Sequence, residues 1–190
     1  NKQALASLGQ PMLMREYTKN FEKQDLLCAQ VLVTAANLNK IDDVQRIKNT
    51  VEVLLSNGII PIVNENDATA TDELEVGDND QLSGYITAHI NADLLIILSD
   101  IDAYYDMDPR KHKNAKVLKV FHSISDEELS KNATPHDVFA TGGIVTKLKA
   151  AAYLQKLNID MFLASGFNLD DVKSYTLNAT HCGGTLFTKA

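Results

Sequence analysis

The chain has 190 residues, 45% of them hydrophobic and 23% charged, which is enough for a well-buried core and excludes a disordered tail or a coiled-coil rod. Its formal charge is −7, which argues against broad, non-specific nucleic-acid binding. That sum is uneven: residues 49–109 hold thirteen acids and no Lys or Arg, so this window carries −13 and the remainder +6.

Residues 2–23 place Leu5, Leu8, Met12 and Phe21 without strand-like alternation and predict a helix, broken or restarted at Pro11. Residues 29–34 are short and β-branched, a buried strand. Residues 41–56 put Val44, Ile47, Val51, Leu54 and Leu55 on one helical face, closed by Asn57-Gly58. Residues 59–63 predict a strand that must tolerate Pro61. Residues 64–78 predict a polar, acidic loop or small hairpin.

Residues 80–90 predict a helix, and residues 94–98 a strand that is apolar on both faces, as a parallel sheet requires. A loop over residues 100–116 precedes a strand at 117–121. Ser125-Asp126-Glu127-Glu128 starts a helix with acids in its first turn. Gly142-Gly143 opens another running to about Leu157. Residues 161–164 form a strand, and Leu186-Phe187 a further one that closes the sheet. Strands and helices alternate without repeats or low-complexity linkers, so the expected architecture is one α/β domain, a three-layer αβα sandwich with a mainly parallel central sheet.

No apolar run is long enough to span a bilayer. Cys28 and Cys182 lie far apart and imply no disulfide framework, and reduced thiols in a cytoplasmic protein are expected. The five histidines show no ligand spacing, so neither a zinc site nor any other protein-built metal site is expected. Acyl-enzyme chemistry has no signature either, there being no G-x-S-x-G or Cys–His pattern.

In α/β folds the loops at the carboxyl ends of strands hold the ligand. Asn64-Glu65-Asn66-Asp67 follows a strand directly, and Gly77-Asp78-Asn79-Asp80 opens a helix. Helix-start amides, side-chain amides and a carboxylate such as Asp67 together suit a zwitterionic amino-acid head group. An N-cap at Asp78 or Asn79 beside a solvated acidic loop accounts for the same residues.

Ser99-Asp100 ends the most apolar strand, where a hydroxyl and a carboxylate can contact a ribose, a phosphate or hydrated Mg²⁺, or simply form a turn. Thr141-Gly142-Gly143-Ile144-Val145-Thr146-Lys147 is the sharpest feature. Its glycines let backbone amides approach a phosphate, and Lys147 lies one turn into the helix they open. It is neither a Walker A motif nor the dinucleotide fingerprint, and a glycine-rich helix start with a surface lysine would read the same way.

The succession Lys2-Gln3-Ala4-Leu5-Ala6-Ser7-Leu8-Gly9-Gln10, Asn64-Glu65-Asn66-Asp67, Gly77-Asp78-Asn79-Asp80, Ser99-Asp100, Asp108-Pro109-Arg110, Thr141 to Lys147 and Gly184-Thr185-Leu186-Phe187 resembles the amino acid kinase family, in the branch that acts on glutamate. The resemblance covers essentially the whole chain. It implies transfer of the ATP γ-phosphoryl group to the side-chain carboxylate of L-glutamate, giving L-glutamyl 5-phosphate, the first step of proline biosynthesis. It implies Asp67 and Asn79 as glutamate-binding residues, with Asp78 close by. It implies Ser99, Asp100, Thr141, Gly142, Gly143, Ile144, Val145, Thr146 and Lys147 as the ATP-binding set. Lys147 would stabilise the transferring phosphoryl group, and Asp80 would position the catalytic lysines.

Mg²⁺ carried with ATP and a homo-oligomer, dimer or tetramer, are further implications, with no nucleic-acid or membrane partner. The family begins with a strand and a glycine-rich loop carrying another phosphate-binding Lys, then a loop with a glutamate-binding Ser. The sequence is expected to start beyond both, and to stop before the C-terminal RNA-binding-like (PUA) domain of many relatives. Ser99 stands where Thr is usual and Ala103 where Gly is usual. Another amino acid kinase, acting on acetylglutamate or uridylate, and a non-catalytic ligand-binding module are the competing readings.

Overall fold

Apolar spacing and caps account for most of the elements in the computed structural model, which describes residues 2–70, 78–131 and 143–189. The chain divides into two compact units, Asn1–Leu82 and Ser83–Ala190.

In the first unit, helix α1 (Lys2–Glu22) leads into strand β1 (Leu27–Val33), a short helix α2 (Ala35–Leu38), helix α3 (Ile41–Ser56) and strand β2 (Ile59–Glu65). Helix α1 runs unbroken through Pro11, contrary to the expected break. A proline costs a helix one hydrogen bond and a local clash, and this helix absorbs both. Helix α2 went unread in the sequence. Its signal is a capping box in which the Thr34 hydroxyl accepts from the Asn37 amide while the Asn37 side chain accepts from the Thr34 amide.

Helix α3 ends as its sequence indicates, with Gly58 at φ +71°, a conformation that costs a glycine little. Strands β1 and β2 pair in parallel, from Leu27 opposite Ile59 to Val33 opposite Glu65. Helix α1 covers the β1 face carrying Cys28 and Gln30: the Thr18 hydroxyl lies 3.7 Å from Cys28 Sγ, and Gln10 bonds Gln30. Helix α3 packs along β2.

Helix α4 (Asn79–His89) spans the boundary between the units. The second unit continues with β3 (Leu94–Ser99), β4 (Val120–Phe121), α5 (Asp126–Lys131), α6 (Ile144–Lys156), β5 (Asp160–Ser165), α7 (Asp170–Asn178) and β6 (Thr185–Phe187). The sheet order is β3-β5-β6-β4. Pairing is parallel for β3–β5 and β4–β6 but antiparallel for β5–β6. The expected α/β class with mainly parallel pairing is met, and β4 and β6 together run opposite to β3 and β5.

The core of this unit is Leu95, Ile97, Leu148, Leu154, Met161, Leu163 and Phe187 with their neighbours. Met161 to Ala164 are fully buried, as a central strand covered on both faces requires. Gly184, at φ +77°, turns the chain into β6 where an added Cβ would stand 2.7 Å from the Leu163 carbonyl oxygen and 2.8 Å from Phe162 Cζ. Phe162 stacks on Tyr175 with ring centroids 4.3 Å apart, which anchors helix α7 to β5.

Two expectations need correction. The strand expected at 117–121 shortens to Val120–Phe121, because Val117 instead forms an isolated antiparallel bridge with Tyr105. Helix α7 was not anticipated, although Asn168 Oδ1 accepts from the Asp170 amide and two acids fill its first turn. Among the described residues no helix is long and apolar enough to cross a membrane.

Candidate active site

The first unit carries Asp67, Asp78, Asn79 and Asp80, the residues expected to serve the acceptor. The Asn66 amide donates to the Val33 carbonyl at 2.7 Å, binding the exit of β2 to the end of β1. The Thr69 and Ala70 amides then donate to the Asn66 carbonyl, folding a turn that carries Asp67. Asp67 is exposed. It lines a cleft of about 370 Å³ with Gln10, Gln30, Leu32, Glu65 and Asn66.

Asp78, Asn79 and Asp80 fall in the same unit. Asp78 Oδ1 accepts from the Asp80 amide at 2.5 Å, and the Asp78 carbonyl accepts from the Leu82 amide at 3.2 Å. The carboxylate of Asp78 therefore caps α4, answering part of the question the sequence left open. Asn79 is exposed at the first position of the helix and Asp80 half-buried at the second.

The second unit carries Ser99, Asp100 and the Gly143–Lys147 segment, expected to serve the nucleotide. Ser99 ends β3 opposite Ser165, the end of β5. The Ser99 hydroxyl donates to Asp100 Oδ1 at 3.0 Å and accepts from the Ile101 amide at 3.1 Å, so it shapes the loop and orients Asp100. The Ser99 carbonyl accepts from the Gly166 amide at 2.7 Å. Ser165 repeats this arrangement, its hydroxyl accepting from the Phe167 and Asn168 amides. This loop, with Phe167 87% exposed, follows a predicted strand, and its sequence carries no motif.

Gly143 lies against Ile101, since a Cβ there would stand 3.2 Å from Ile101 Cδ1. The start of α6 and the loop after β3 are thus neighbours. Thr141 and Gly142 lie outside the described residues. Ile144 and Val145 are buried in the core cluster, which leaves their backbone as what they can offer a phosphate. The Thr146 hydroxyl donates to the Gly143 carbonyl at 3.2 Å. Lys147 is only 7% exposed, and its Nζ donates to the same carbonyl at 3.1 Å. It is a buried ammonium at a helix start, not a surface lysine.

Beyond Asp100 the chain forms a hairpin. The Leu118 amide donates to the Tyr104 carbonyl and the Lys116 amide to Asp106 Oδ1, both at 2.8 Å. Ala103 is buried and takes no positive φ, so its methyl group is accommodated there. Burial and the Asp102 carboxylate beside it push the Tyr105 phenol up, while its hydroxyl donates to Asp102 at 3.1 Å. In the Asp108-Pro109-Arg110 turn, burial acts to raise the Asp108 carboxyl, but the Arg110 amide and guanidinium with the Lys111 charge outweigh it and hold it below the usual carboxylate range. Among the described residues no three His, Cys, Asp or Glu side chains gather closely enough to hold a metal ion.

In α/β folds, polar loops at the carboxyl ends of strands hold ligands, and a glycine-led helix start such as that of α6 offers backbone amides to an anion. The chain belongs to the amino acid kinase family, whose model matches residues 1–165. It is 47% identical to a protein named Glutamate 5-kinase from Wolinella succinogenes, over all of this chain and 74% of that protein. It is 50% identical to one of the same name from Leishmania donovani, over 98% of this chain and 71% of that protein. Among solved structures, an isopentenyl phosphate kinase superposes with a TM-score of 0.67 at 18% identity, covering 94% of this chain and 66% of its own. A UMP kinase from Ureaplasma parvum gives 0.57 at 14% identity, covering 88% and 63%. These structural likenesses show the fold alone.

Proposed function

We propose that this protein transfers the γ-phosphoryl group of ATP to the side-chain carboxylate of L-glutamate, forming L-glutamyl 5-phosphate, the first step of proline biosynthesis. Relatives named Glutamate 5-kinase, matching along the whole chain, support this choice of acceptor over acetylglutamate or uridylate. They also weigh against a non-catalytic binding module. The geometric observation that carries the reading is Lys147, an ammonium held at the N-terminal turn of α6 beside Gly143.

The chemistry asks little covalent work of the protein. The glutamate side-chain carboxylate is already ionised at neutral pH and is itself the nucleophile. One of its oxygens forms the bond to the γ-phosphorus as the bond from that phosphorus to the β–γ bridging oxygen breaks, and ADP leaves with that electron pair. Catalysis is then positioning and charge neutralisation. Lys147 faces the charge on the transferring phosphoryl group, and Asp80 positions the lysines. Backbone amides from Thr141 to Thr146 cradle phosphates, while Ser99 and Asp100 border the nucleotide. Asp67 and Asn79 bind glutamate, with Asp78 supporting Asn79 by capping its helix. Mg²⁺ bound with ATP would supply neutralisation of phosphate charge, and phosphate oxygens would hold it, as a hard cation prefers oxygen ligands.

The matching region reads as one amino acid kinase domain, in a cytoplasmic homo-oligomer, dimer or tetramer. The test is hydroxylamine trapping of the acyl phosphate made by the full-length protein. Hydroxamate is expected with glutamate and MgATP. Its absence with glutamate, together with product from acetylglutamate or UMP, would overturn the assignment.

A further inference from the structure

Three side-chain amides from α1, β1 and β2 form a chain that the proposed reaction has not used. Asn64 Nδ2 donates to Gln10 Oε1 at 3.0 Å, and Gln10 Nε2 donates to Gln30 Oε1 at 2.9 Å. An amide oxygen accepts and its nitrogen donates, so this order fixes how Gln10 is turned. Gln10 keeps one further N–H. Gln30 keeps its whole NH₂ group, which has no protein partner among the described residues.

Gln10 and Gln30 line the same cleft as Asp67. The cleft therefore offers neutral N–H donors together with two carboxylates, Glu65 and Asp67. Pro11 adds an acceptor, because it has no N–H to give the Ser7 carbonyl, and both residues line the cleft. Among the described residues no Lys, Arg or His lines it. A phosphate-bearing ligand would find no countercharge there, whereas a zwitterion would find donors for its carboxylate and acceptors for its ammonium.

We propose that Gln10 and Gln30 bind the α-carboxylate of the amino-acid acceptor while Asp67 takes its ammonium, Asn64 acting as the positioning residue that holds Gln10 in the donating orientation. This deepens the functional reading above and rests on it. Gln10 thereby becomes a specificity residue for an acceptor with a free α-carboxylate.

The test compares L-glutamate with its α-amide as substrates of the full-length protein, read by hydroxamate formation. Gln10→Ala is expected to raise the KM for glutamate about tenfold, the loss of a charge-assisted hydrogen bond, with kcat and the KM for ATP held within about twofold. The wild-type preference for glutamate over the α-amide should shrink by a similar factor, and Gln10→Glu should reverse it. A merely structural role would weaken both substrates equally, and that result overturns the inference, as does an unchanged KM for glutamate. If Gln10→Ala does not fold, Gln30→Ala on the exposed wall gives the same reading. No product from wild-type protein with glutamate would sink the functional reading and this inference with it. Product with an unaltered preference in the variants would sink the inference alone.

Discussion

Lys147 Nζ donates to the carbonyl of Gly143, four residues back, at 3.1 Å, although the side chain is only 7% exposed. A helical side chain leans towards the helix N-terminus, so a lysine one turn in delivers its ammonium to the glycine-led opening of its own helix. The ammonium is held there by a backbone group that any ligand phosphate would outcompete in charge. Burial also spares it much of the screening that weakens exposed ions.

Lys147→Ala should therefore lower kcat by about 100-fold or more, the scale of losing one preorganised charge at a transferring phosphoryl group. Glutamate binding, followed by isothermal titration, should persist in the variant. Abolished glutamate binding in a folded variant would contradict this role.

Asp67 and Asp78 are both acidic loop residues, and the structure separates them. Asp67→Asn should raise the KM for glutamate at least about tenfold and shift folding stability by less than about 0.5 kcal/mol, as at an exposed site. Asp78→Ala removes the acceptor of the Asp80 amide and should cost about 1 kcal/mol of stability. Urea denaturation and steady-state kinetics on the two variants decide it, and equal stability losses would refute the distinction.

Gly184→Ala should destabilise the protein by about 2 kcal/mol or more. The position has φ +77°, and the new methyl group would strike the Leu163 carbonyl and the Phe162 ring. Gly58→Ala makes the control: its φ is +71° but nothing lies within 4 Å, so only the backbone penalty of about 1 kcal/mol applies. Similar denaturation midpoints for the two variants would show that close packing at Gly184 contributes nothing.

Asp108 gives a pH dependence with a definite sign. Its carboxyl is held below the usual range in the folded protein by Arg110 and Lys111, which outweigh the opposing effect of burial. The stability it contributes is in place above the unfolded carboxylate value of about 3.9 and is lost as pH falls through the lower folded value. Asp108→Asn should flatten that acid limb and leave the slope near neutral pH unchanged. Urea midpoints measured across the acid range test this, and an acid limb identical to wild type would refute it.

Much of the fold was legible because local signals agree with the tertiary outcome. The helix over residues 41–56, the strand around Leu95 and Ile97, and the Gly58 helix end all appear where the pattern puts them, although Leu55 and Leu98 stay about half exposed. Helices α2 and α7 were missed because each is short and lacks a periodic signal: α2 is marked by its capping box and α7 by two acids in its first turn. The break expected at Pro11 did not occur, since one lost hydrogen bond is not enough to end a helix of 21 residues.

By itself the sequence determined the chemistry on offer: the lopsided charge, the two acidic clusters, and the glycines before Lys147. These are matters of residue type and spacing, which a linear reading sees directly. Only the tertiary structure decided what each group does with its polar atoms. It committed Asp78 to a helix cap and left Asp67 exposed at a cleft. It buried Lys147, placed Ser165 opposite Ser99, and strung Gln10 between Asn64 and Gln30, 54 and 20 residues away. Hydrogen-bond partners so distant in sequence leave no periodic trace, because they are set by which elements pack together.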